Sequence, residues 1–265
     1  MFHVIVTVLV LISTICNATI GIPEGNGSFS EGEKIPNGGR IEVTETAYHN
    51  RFSYVVSLYD EEHNYVCVGT VLTSRLILTT SICVQPKPPV THVRANSRDS
   101  YRGGEKHYVK EAIMYDQENY TKHDIALLLL KTKILDVHPV QLVSPSDVRV
   151  GEGDQVLALG WGKMDNNVWP RYLIGVHLEV SPDEKCQKFY SGGDSWICTE
   201  NKITYICPGD GGAPILYGEK QVGVVSHGDN GKGGMTCSSN QPAASVNLLK
   251  YLDWIQTYTQ NKTYA

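Results

Sequence analysis

Short runs of apolar residues, many of them β-branched or aromatic, recur along the chain between clusters of Gly, Pro, Asn and Asp. Runs of this kind predict β-strands, and the clusters predict the turns that join them. We predict strands near residues 54–58, 66–72, 76–80, 108–115, 125–130, 155–161, 175–180, 214–217 and 221–226. So many short strands with brief connections indicate an all-β sandwich or a pair of barrels, because alternating strand and helix patterns are missing.

Two helical segments interrupt this pattern. The sequence Ser-Pro-Asp-Glu at 181–184 has the form of a capping box with proline at the first helical position, and it predicts a short helix around Cys186. Near the end of the chain, Leu248, Leu252 and Ile255 are spaced to form one apolar stripe. This spacing predicts a closing helix.

The N-terminal region predicts a secreted protein. An apolar run at residues 4–15 is too short to span a bilayer, and the small residues Cys16 and Ala18 suit cleavage after Ala18. We therefore expect a signal peptide over residues 1–18. Residues 19–40 are rich in Gly, Glu, Ser and Asn, and we expect a flexible pro segment there. The folded domain is predicted to cover residues 41–265.

The cysteines support a secretory route. One of the seven, Cys16, lies in the predicted signal peptide. The remaining cysteines form an even set, Cys67, Cys83, Cys186, Cys198, Cys207 and Cys237. An even set in a secreted chain predicts disulfides, although spacing alone does not choose among the possible pairings. Three sequons, at Asn26, Asn119 and Asn261, are candidate N-glycosylation sites.

Charge and composition exclude several classes of partner. The net charge is -5 and the pI is near 6.0, so no basic surface for nucleic acid or an anionic membrane is predicted. A Cys-x-x-Cys pair with matching histidines is missing, so the zinc interpretation is weak. We expect no metal and no cofactor.

One stretch carries a resemblance to a known family. The sequence Cys-Pro-Gly-Asp-Gly-Gly-Ala-Pro at 207–214 resembles the Gly-Asp-Ser-Gly-Gly-Pro signature of chymotrypsin-like serine proteases, with Gly211 at the position of the nucleophile. Further segments resemble this family at 52–58, at 67–70 (Cys-Val-Gly-Thr), at 78–83 (Leu-Thr-Thr-Ser-Ile-Cys), at 124–127 (Asp-Ile-Ala-Leu), at 160–162 (Gly-Trp-Gly), at 226–228 (Ser-His-Gly) and at 251–255 (Tyr-Leu-Asp-Trp-Ile). The resemblance covers the chain from Ile41 to the C-terminus.

The resemblance implies a specific architecture. It implies two six-stranded antiparallel β-barrels with a cleft between them, and the disulfides Cys67–Cys83, Cys186–Cys198 and Cys207–Cys237. It also places Arg40–Ile41 where the family is cleaved on activation, after which the new amine pairs with Asp210. The hinge Ile-Glu-Val-Thr at 41–44 lacks the family's two glycines, which restricts its backbone. Cleavage at this bond and an exposed Arg40 in a loose tail therefore both remain open.

The catalytic chemistry of the family is missing from the sequence. Gly211 and Ile82 stand where the resemblance places the serine nucleophile and the histidine base, and only Asp124 remains of the triad. We predict a structural role for Asp124 as a buried carboxylate, which needs hydrogen-bond donors, and the resemblance implies donors at the amides of Ser81 and Ile82 and at the Ser226 hydroxyl. Gly-Asp-Ser at 193–195 is followed by Trp-Ile-Cys, so Ser195 is not a replacement nucleophile.

The specificity pocket also departs from the family pattern. Tyr205 stands where trypsin-like enzymes carry an aspartate, and Ala243 replaces a glycine of the pocket wall. His227 replaces a tryptophan that lines the cleft. A tyrosine at the base and a methyl group on the wall are expected to fill the pocket.

Together these features predict a secreted, catalytically inactive homologue that acts by binding other secreted proteins. Inactive homologues of this family resemble cofactors or decoys in insect immune cascades, or they act among seminal proteins in reproduction. Because no clip-type cysteine module precedes the domain, we favour a reproductive role over an immune one. One alternative is a hydrolase with a relocated nucleophile. Another is a carrier of a small molecule or metal at His227, for which the sequence offers no ligand cluster.

Overall fold

The computed structural model describes residues 40–85, 89–120, 122–164, 168–200, 206–227, 241–261 and 264. Its strands are β1 (Arg40–Glu42), β2 (Val55–Tyr59), β3 (Tyr65–Thr73), β4 (Leu76–Thr79), β5 (His92–Ala95), β6 (Glu105–Met114), β7 (Ala126–Leu130), β8 (Gln141–Leu142), β9 (Gln155–Gly160), β10 (Ile174–Val180), β11 (Trp196–Glu200), β12 (Pro214–Tyr217), β13 (Lys220–His227) and β14 (Ala243–Asn247). Its α-helices are α1 (Glu45–Ala47), α2 (Ser81–Val84), α3 (Asp183–Gln187) and α4 (Leu252–Thr259). A π-helical turn spans Tyr48–Phe52, and 3-10 turns span Gly193–Ser195 and Leu248–Lys250.

Two closed six-stranded barrels account for most of these strands, as the resemblance implies. The first barrel has the order β2, β3, β4, β7, β6 and β5, and β5 pairs back to β2. The second has the order β9, β10, β11, β14, β13 and β12, and β12 pairs back to β9. All pairings within both barrels are antiparallel. Strand β1 extends the second barrel beside β10, and β8 lies parallel to β13.

The apolar runs of the sequence become the barrel cores. Strands β4 and β7 are buried along their whole length, which explains why their sequences are almost continuously apolar. Large side chains that are fully buried include Leu58, Leu76, Ile77, Leu78 and Leu159. Burial of such side chains provides the main favourable free energy of folding.

The hydrophobic pattern predicts the long strands well and misses the short or polar ones. Each predicted strand is present with ends shifted by three residues or fewer, whereas β1, β5, β8, β11 and β14 were not predicted. Strand β14 illustrates the reason, because Ala243, Ala244 and Ser245 lack the bulky side chains that mark a strand. It is held between β11 and β13, so its structure depends on tertiary pairing.

Both predicted helices are present, but the capping box is wrong. Helix α3 begins at Asp183, and Pro182 precedes it in an extended conformation, without a side-chain cap. The Ser181 hydroxyl is buried and makes no hydrogen bond. The Ser181 backbone amide, which a capping box would pair with the Glu184 side chain, donates to the Cys198 carbonyl of β11 at 2.9 Å. The closing helix α4 is confirmed, and Leu248, Leu252 and Ile255 are all buried.

Two of the three implied disulfides are confirmed. Cys67 is bonded to Cys83, which joins β3 to α2, and Cys186 is bonded to Cys198, which joins α3 to β11. Cys207 is also disulfide-bonded, and its implied partner Cys237 lies outside the described residues. The predicted signal peptide and most of the pro segment lie outside them as well. Among the described helices, none is long and apolar enough to cross a membrane.

Candidate functional site: the junction of the two barrels

The three positions of the degenerate triad lie at the ends of different strands. Ile82 lies in α2, directly after β4, and 41% of its surface is exposed. Asp124 lies just before β7 and is 1% exposed. Gly211 lies in the loop before β12, and its carbonyl accepts a hydrogen bond of 2.8 Å from the Val68 amide of β3. The site is therefore built from both barrels.

Asp124 has the donors that its structural role requires. The Ile82 amide donates to Asp124 Oδ1 at 2.7 Å, and the Ser226 hydroxyl donates to Asp124 Oδ2 at 2.5 Å. Burial raises the pKa of Asp124, while these two donors and the Ser81 amide act to lower it. The bond from Ser226 also links the two barrels, because Ser226 belongs to β13 and Asp124 precedes β7.

The structure adds an imidazole to this group. Ser226 Oγ lies 2.6 Å from His227 Nδ1, so Asp124, Ser226 and His227 form one hydrogen-bonded chain. When Asp124 is ionised, the hydroxyl proton points to the carboxylate, and Nδ1 must carry a hydrogen that it donates to Ser226. The sequence singled out His227 but gave no signal for its contact with Ser226. Adjacent side chains of a regular strand point to opposite faces, and the register shift between Val225 and His227 at the end of β13 is not visible in the sequence.

The geometry of this chain differs from that of a catalytic triad. A nucleophilic hydroxyl donates to the imidazole and faces the substrate, whereas the Ser226 hydroxyl donates to the carboxylate and is only 2% exposed. His227 is partly buried, and its ring lies edge-on to Trp196 with centroids 5.6 Å apart. Its role in this arrangement is to donate to Ser226.

The loop around Gly211 packs against the disulfide between Cys67 and Cys83. A Cβ atom on Gly211 would lie 3.3 Å from the Cys83 sulfur and 3.4 Å from the Cys67 sulfur. Gly209 has a φ of +94°, which favours glycine, and its carbonyl accepts a hydrogen bond of 2.7 Å from the Tyr65 hydroxyl. Trp169 packs against the same glycine so closely that a Cβ there would lie 2.5 Å from its ring.

Asp210 belongs to the same loop and is partly buried. The Gly162 amide donates to Oδ1 and the Cys207 amide donates to Oδ2, each at 2.9 Å. Burial raises the pKa of Asp210 to about 6, although both amides and the positive charge of Arg40 act to lower it. Arg40 and Asp210 line the same small cavity of the second barrel.

The predicted cleavage bond lies inside a strand. Arg40 and Ile41 belong to β1, where they pair with Val176 and Gly175 of β10, and both are partly buried. An exposed Arg40 in a loose tail is therefore wrong. The Arg40 guanidinium lies 3.7 Å from the Cys207 sulfur, next to the amide that binds Asp210.

Other predicted site residues are only partly brought together. Ala243 is buried at the start of β14, and its neighbour Ala244 pairs with His227 at the end of β13. Tyr205 lies outside the described residues, so its filling of the pocket stays a prediction. Ser195 lies in the turn before β11, and no contact of the described residues joins it to Asp124 or His227.

The remaining predicted positions concern metals and glycans. Within the described ranges, no group of three or more His, Cys, Asp or Glu side chains is placed to hold a metal ion. Asn119 is exposed in the turn before β7, and Asn261 is exposed after α4, so both present their side chains to solvent. Asn26 lies outside the described residues.

Comparisons with known proteins agree with this fold. The family described as Trypsin matches residues 41–255. The chain is 28% identical to Chymotrypsin-2 of Vespa crabro over 79% of its length and 95% of that protein, and 26% identical to a venom serine protease of Polistes dominula over 88% and 87%. The mouse brain protease neuropsin has a similar structure, with a TM-score of 0.67 at 22% identity over 80% of this chain and 96% of that one. This chain therefore belongs to the trypsin family.

Proposed function

We propose that this chain is a secreted member of the trypsin family that performs no catalysis and acts by binding other secreted proteins. Two side chains support this proposal, because Ile82 and Gly211 stand where the family's acyl-transfer chemistry needs a base and a nucleophile. Isoleucine accepts no proton at any pH, and glycine has no oxygen to attack a carbonyl. In a serine protease, loss of either group alone lowers kcat by about 10⁶-fold.

The secreted location is part of the same proposal. It rests on the apolar N-terminal segment, on the cysteines that form disulfides, and on relatives that include a protein named as a venom protease. Partners of this class are secreted proteases, inhibitors, or immune or seminal proteins, with reproduction as the favoured setting. A protease fold without its chemistry still presents its loops and cleft as a binding surface.

A hydrolase with a relocated nucleophile is the second candidate. The hydrogen-bonded chain of Asp124, Ser226 and His227 is the observation that favours it. Against it, the Ser226 hydroxyl is buried and its proton is directed to Asp124, so its oxygen has no path to a substrate carbonyl. The first proposal is therefore the stronger one.

Turnover of a fluorogenic peptide library by the purified protein tests the proposal. We expect no turnover above the buffer rate, and the same result for Ser226→Ala and His227→Ala. Turnover that either substitution abolishes would establish the relocated nucleophile.

Restoring the missing groups tests how far the site has diverged. We expect the double variant Gly211→Ser with Ile82→His to gain little or no peptidase activity, because the specificity pocket and the Ile41 hinge also depart from the family pattern. Robust cleavage by this variant would show that the pocket and the Ile41 hinge remain competent.

A further inference from the structure

A second cavity lies on the second barrel, away from the junction described above. Its volume is about 400 Å³, and none of Asp124, Ser226, His227 or Gly211 lines it. Its floor is apolar and consists of Val143, Val180, Trp196, Ile197 and Val222, all of them buried. A concave site of this volume with an apolar floor is typical of sites that bind small molecules or single side chains.

The rim of the cavity is charged, and its charge is predominantly negative. Four exposed carboxylates line it, at Glu152, Asp183, Glu184 and Asp194, against two cations, at Arg149 and Lys250. Lys250 forms an ion pair with Asp194, so its charge is already compensated within the rim. The rim therefore favours a positively charged ligand.

A buried hydroxyl marks the inner wall. Ser181 lines the cavity and is 3% exposed, and its Oγ has no hydrogen-bond partner. A buried hydroxyl without a partner costs free energy, which a bound ligand with a polar group recovers. This observation is independent of the rim charges.

We propose that this cavity binds an organic cation with an apolar stem, which is an alkyl or aryl amine or guanidine. The stem would lie on the valine and tryptophan floor, and the charged head would donate a hydrogen bond to Ser181 Oγ and lie among the carboxylates of the rim. A lysine or arginine side chain of a partner protein has this shape, as does a free amine, because its stem is apolar and its head is charged. The partner-protein form rests on the proposed function, whereas the cavity's preference for cations does not.

Titration of the purified full-length chain with three probes tests this preference. The probes are 4-phenylbutylamine, its carboxylate analogue 4-phenylbutyrate, and its neutral analogue 4-phenylbutanol. We expect saturable binding of the amine that is at least roughly tenfold tighter than that of either analogue, because the rim carries excess negative charge. Equal affinity for the three probes, tighter binding of the carboxylate, or no saturable binding of the amine would overturn the inference.

Substitutions at the rim locate the site. The double variant Glu152→Gln with Glu184→Gln should weaken amine binding by roughly three- to tenfold, because two exposed attractive charges are removed. The matched control is Glu111→Gln with Glu118→Gln, which removes two exposed carboxylates that do not line the cavity. Equal weakening by the two double variants would show general charge attraction in place of a site, and would contradict the proposal.

A peptide pair distinguishes the two sources of the cation. Acetyl-Gly-Lys-Gly-amide is compared with the peptide in which norleucine replaces lysine. Binding of 4-phenylbutylamine and of the lysine peptide, but not of the norleucine peptide, supports a basic side chain of a partner protein as the ligand. Binding of 4-phenylbutylamine and of neither peptide supports a free amine. Equal binding of both peptides contradicts cation recognition. Catalytic activity of the chain would defeat the proposed function but leave these binding results unchanged, so the two failures are distinguishable.

Discussion

At the scale of residues, two glycines make room for the side chain of Asp210. A Cβ on Gly162 would lie 2.2 Å from the Asp210 carboxyl carbon, and one on Gly160 would lie 2.6 Å from Asp210 Oδ1. The glycines of Gly-Trp-Gly at 160–162 are thus explained by the close approach of the Asp210 carboxyl group. The sequence supplies the three residues, but the contact itself becomes visible only when β9 is placed beside the loop before β12.

Substitution of Gly162 tests this contact. We expect Gly162→Ala to lower the free energy of unfolding by about 1–3 kcal/mol or more, because the methyl group overlaps the carboxylate. Gly151→Ala is the matched control, since a Cβ there meets nothing within 4 Å. Urea denaturation of both variants measures the difference, and similar midpoints for the two would contradict the proposed packing.

The pKa of Asp210 predicts a pH dependence of stability. Burial raises that pKa to about 6 from 3.8, so the folded state holds a proton that the unfolded state loses between these values. The contribution of Asp210 is therefore fully present below about pH 4 and falls as the pH rises through 6. The fall is about 3 kcal/mol, since one pKa unit corresponds to about 1.4 kcal/mol.

Comparison with Asp210→Asn isolates the contribution of the Asp210 carboxyl group to the pH dependence of the unfolding free energy. The variant is expected to be less stable at acidic pH, because an amide group offers one acceptor where Gly162 and Cys207 both donate. Its disadvantage should shrink between pH 4 and pH 7, as the parent loses the contribution of its protonated carboxyl group. A difference in unfolding free energy that stays constant over this range would show that Asp210 titrates normally.

Residue-level prediction from the sequence succeeded where a charged group had fixed needs. The two donors to Asp124, the Ile82 amide and the Ser226 hydroxyl, were predicted because a buried carboxylate requires donors and the family resemblance places these two beside it. The contact between Ser226 and His227 was missed, since neither side chain requires the other. The cavity beside Ser181 was also missed, because a turn, a helix end and several strands form it together.

At the scale of elements, hydrophobic patterning predicted strands whose side chains are large. Strands β4 and β7 were predicted within a residue, because their residues are apolar and buried. Strand β5 contains His92 and Arg94, and β14 contains two alanines and a serine, so neither carries that signal. Pairing with neighbouring strands determines both β5 and β14, and the hydrophobic pattern of a single sequence does not indicate which strands pair.

Strand β1 makes a prediction about cleavage. Proteases bind their substrates as extended, accessible chains, whereas the Arg40–Ile41 bond lies in a strand that pairs with β10. We expect brief treatment with trypsin under native conditions to leave this bond intact, because β1 must first detach from the barrel. Peptide mass spectrometry at successive times measures the cut.

An internal reference makes that experiment quantitative. Arg102 is exposed in the connection between β5 and β6 and precedes two glycines, so it offers an accessible trypsin site. We expect cleavage after Arg102 to precede cleavage after Arg40. A moderate urea concentration should make the bond after Arg40 susceptible to trypsin, because β1 then detaches from β10. Cleavage after Arg40 at the earlier time would show that β1 opens freely in the native protein.

At the scale of the whole molecule, the resemblance to a family predicted the architecture that patterning alone left undecided. Short strands were compatible with a sandwich or a pair of barrels, and the family motifs decided for barrels. The disulfides Cys67–Cys83 and Cys186–Cys198 were likewise implied by the family and not by spacing. Motifs spread over the chain fix the register of many strands at once, which explains this success.

The molecule keeps the family's scaffold, and its sequence departs from the family's catalytic pattern at the junction of the barrels. Hydrogen bonds from Ser226 to Asp124 and from Val68 to Gly211 still join the barrels, although the residues that would transfer a proton and attack a carbonyl are absent from their positions. The same bonds that orient catalytic groups in a protease thus contribute here to the stability of the junction. In the proposed function, binding surfaces such as the acidic cavity of the second barrel take the place of catalysis.

Reaction with a fluorophosphonate probe tests the lack of an activated serine most directly, because the probe traps such a nucleophile whatever the substrate specificity. Purified native protein, a heat-denatured sample and an active trypsin are treated in parallel, and the intact mass of each is measured. We expect labelling of the trypsin alone. Stoichiometric labelling of this chain in its native form and not after denaturation, at Ser226 or at any other serine, would contradict the account.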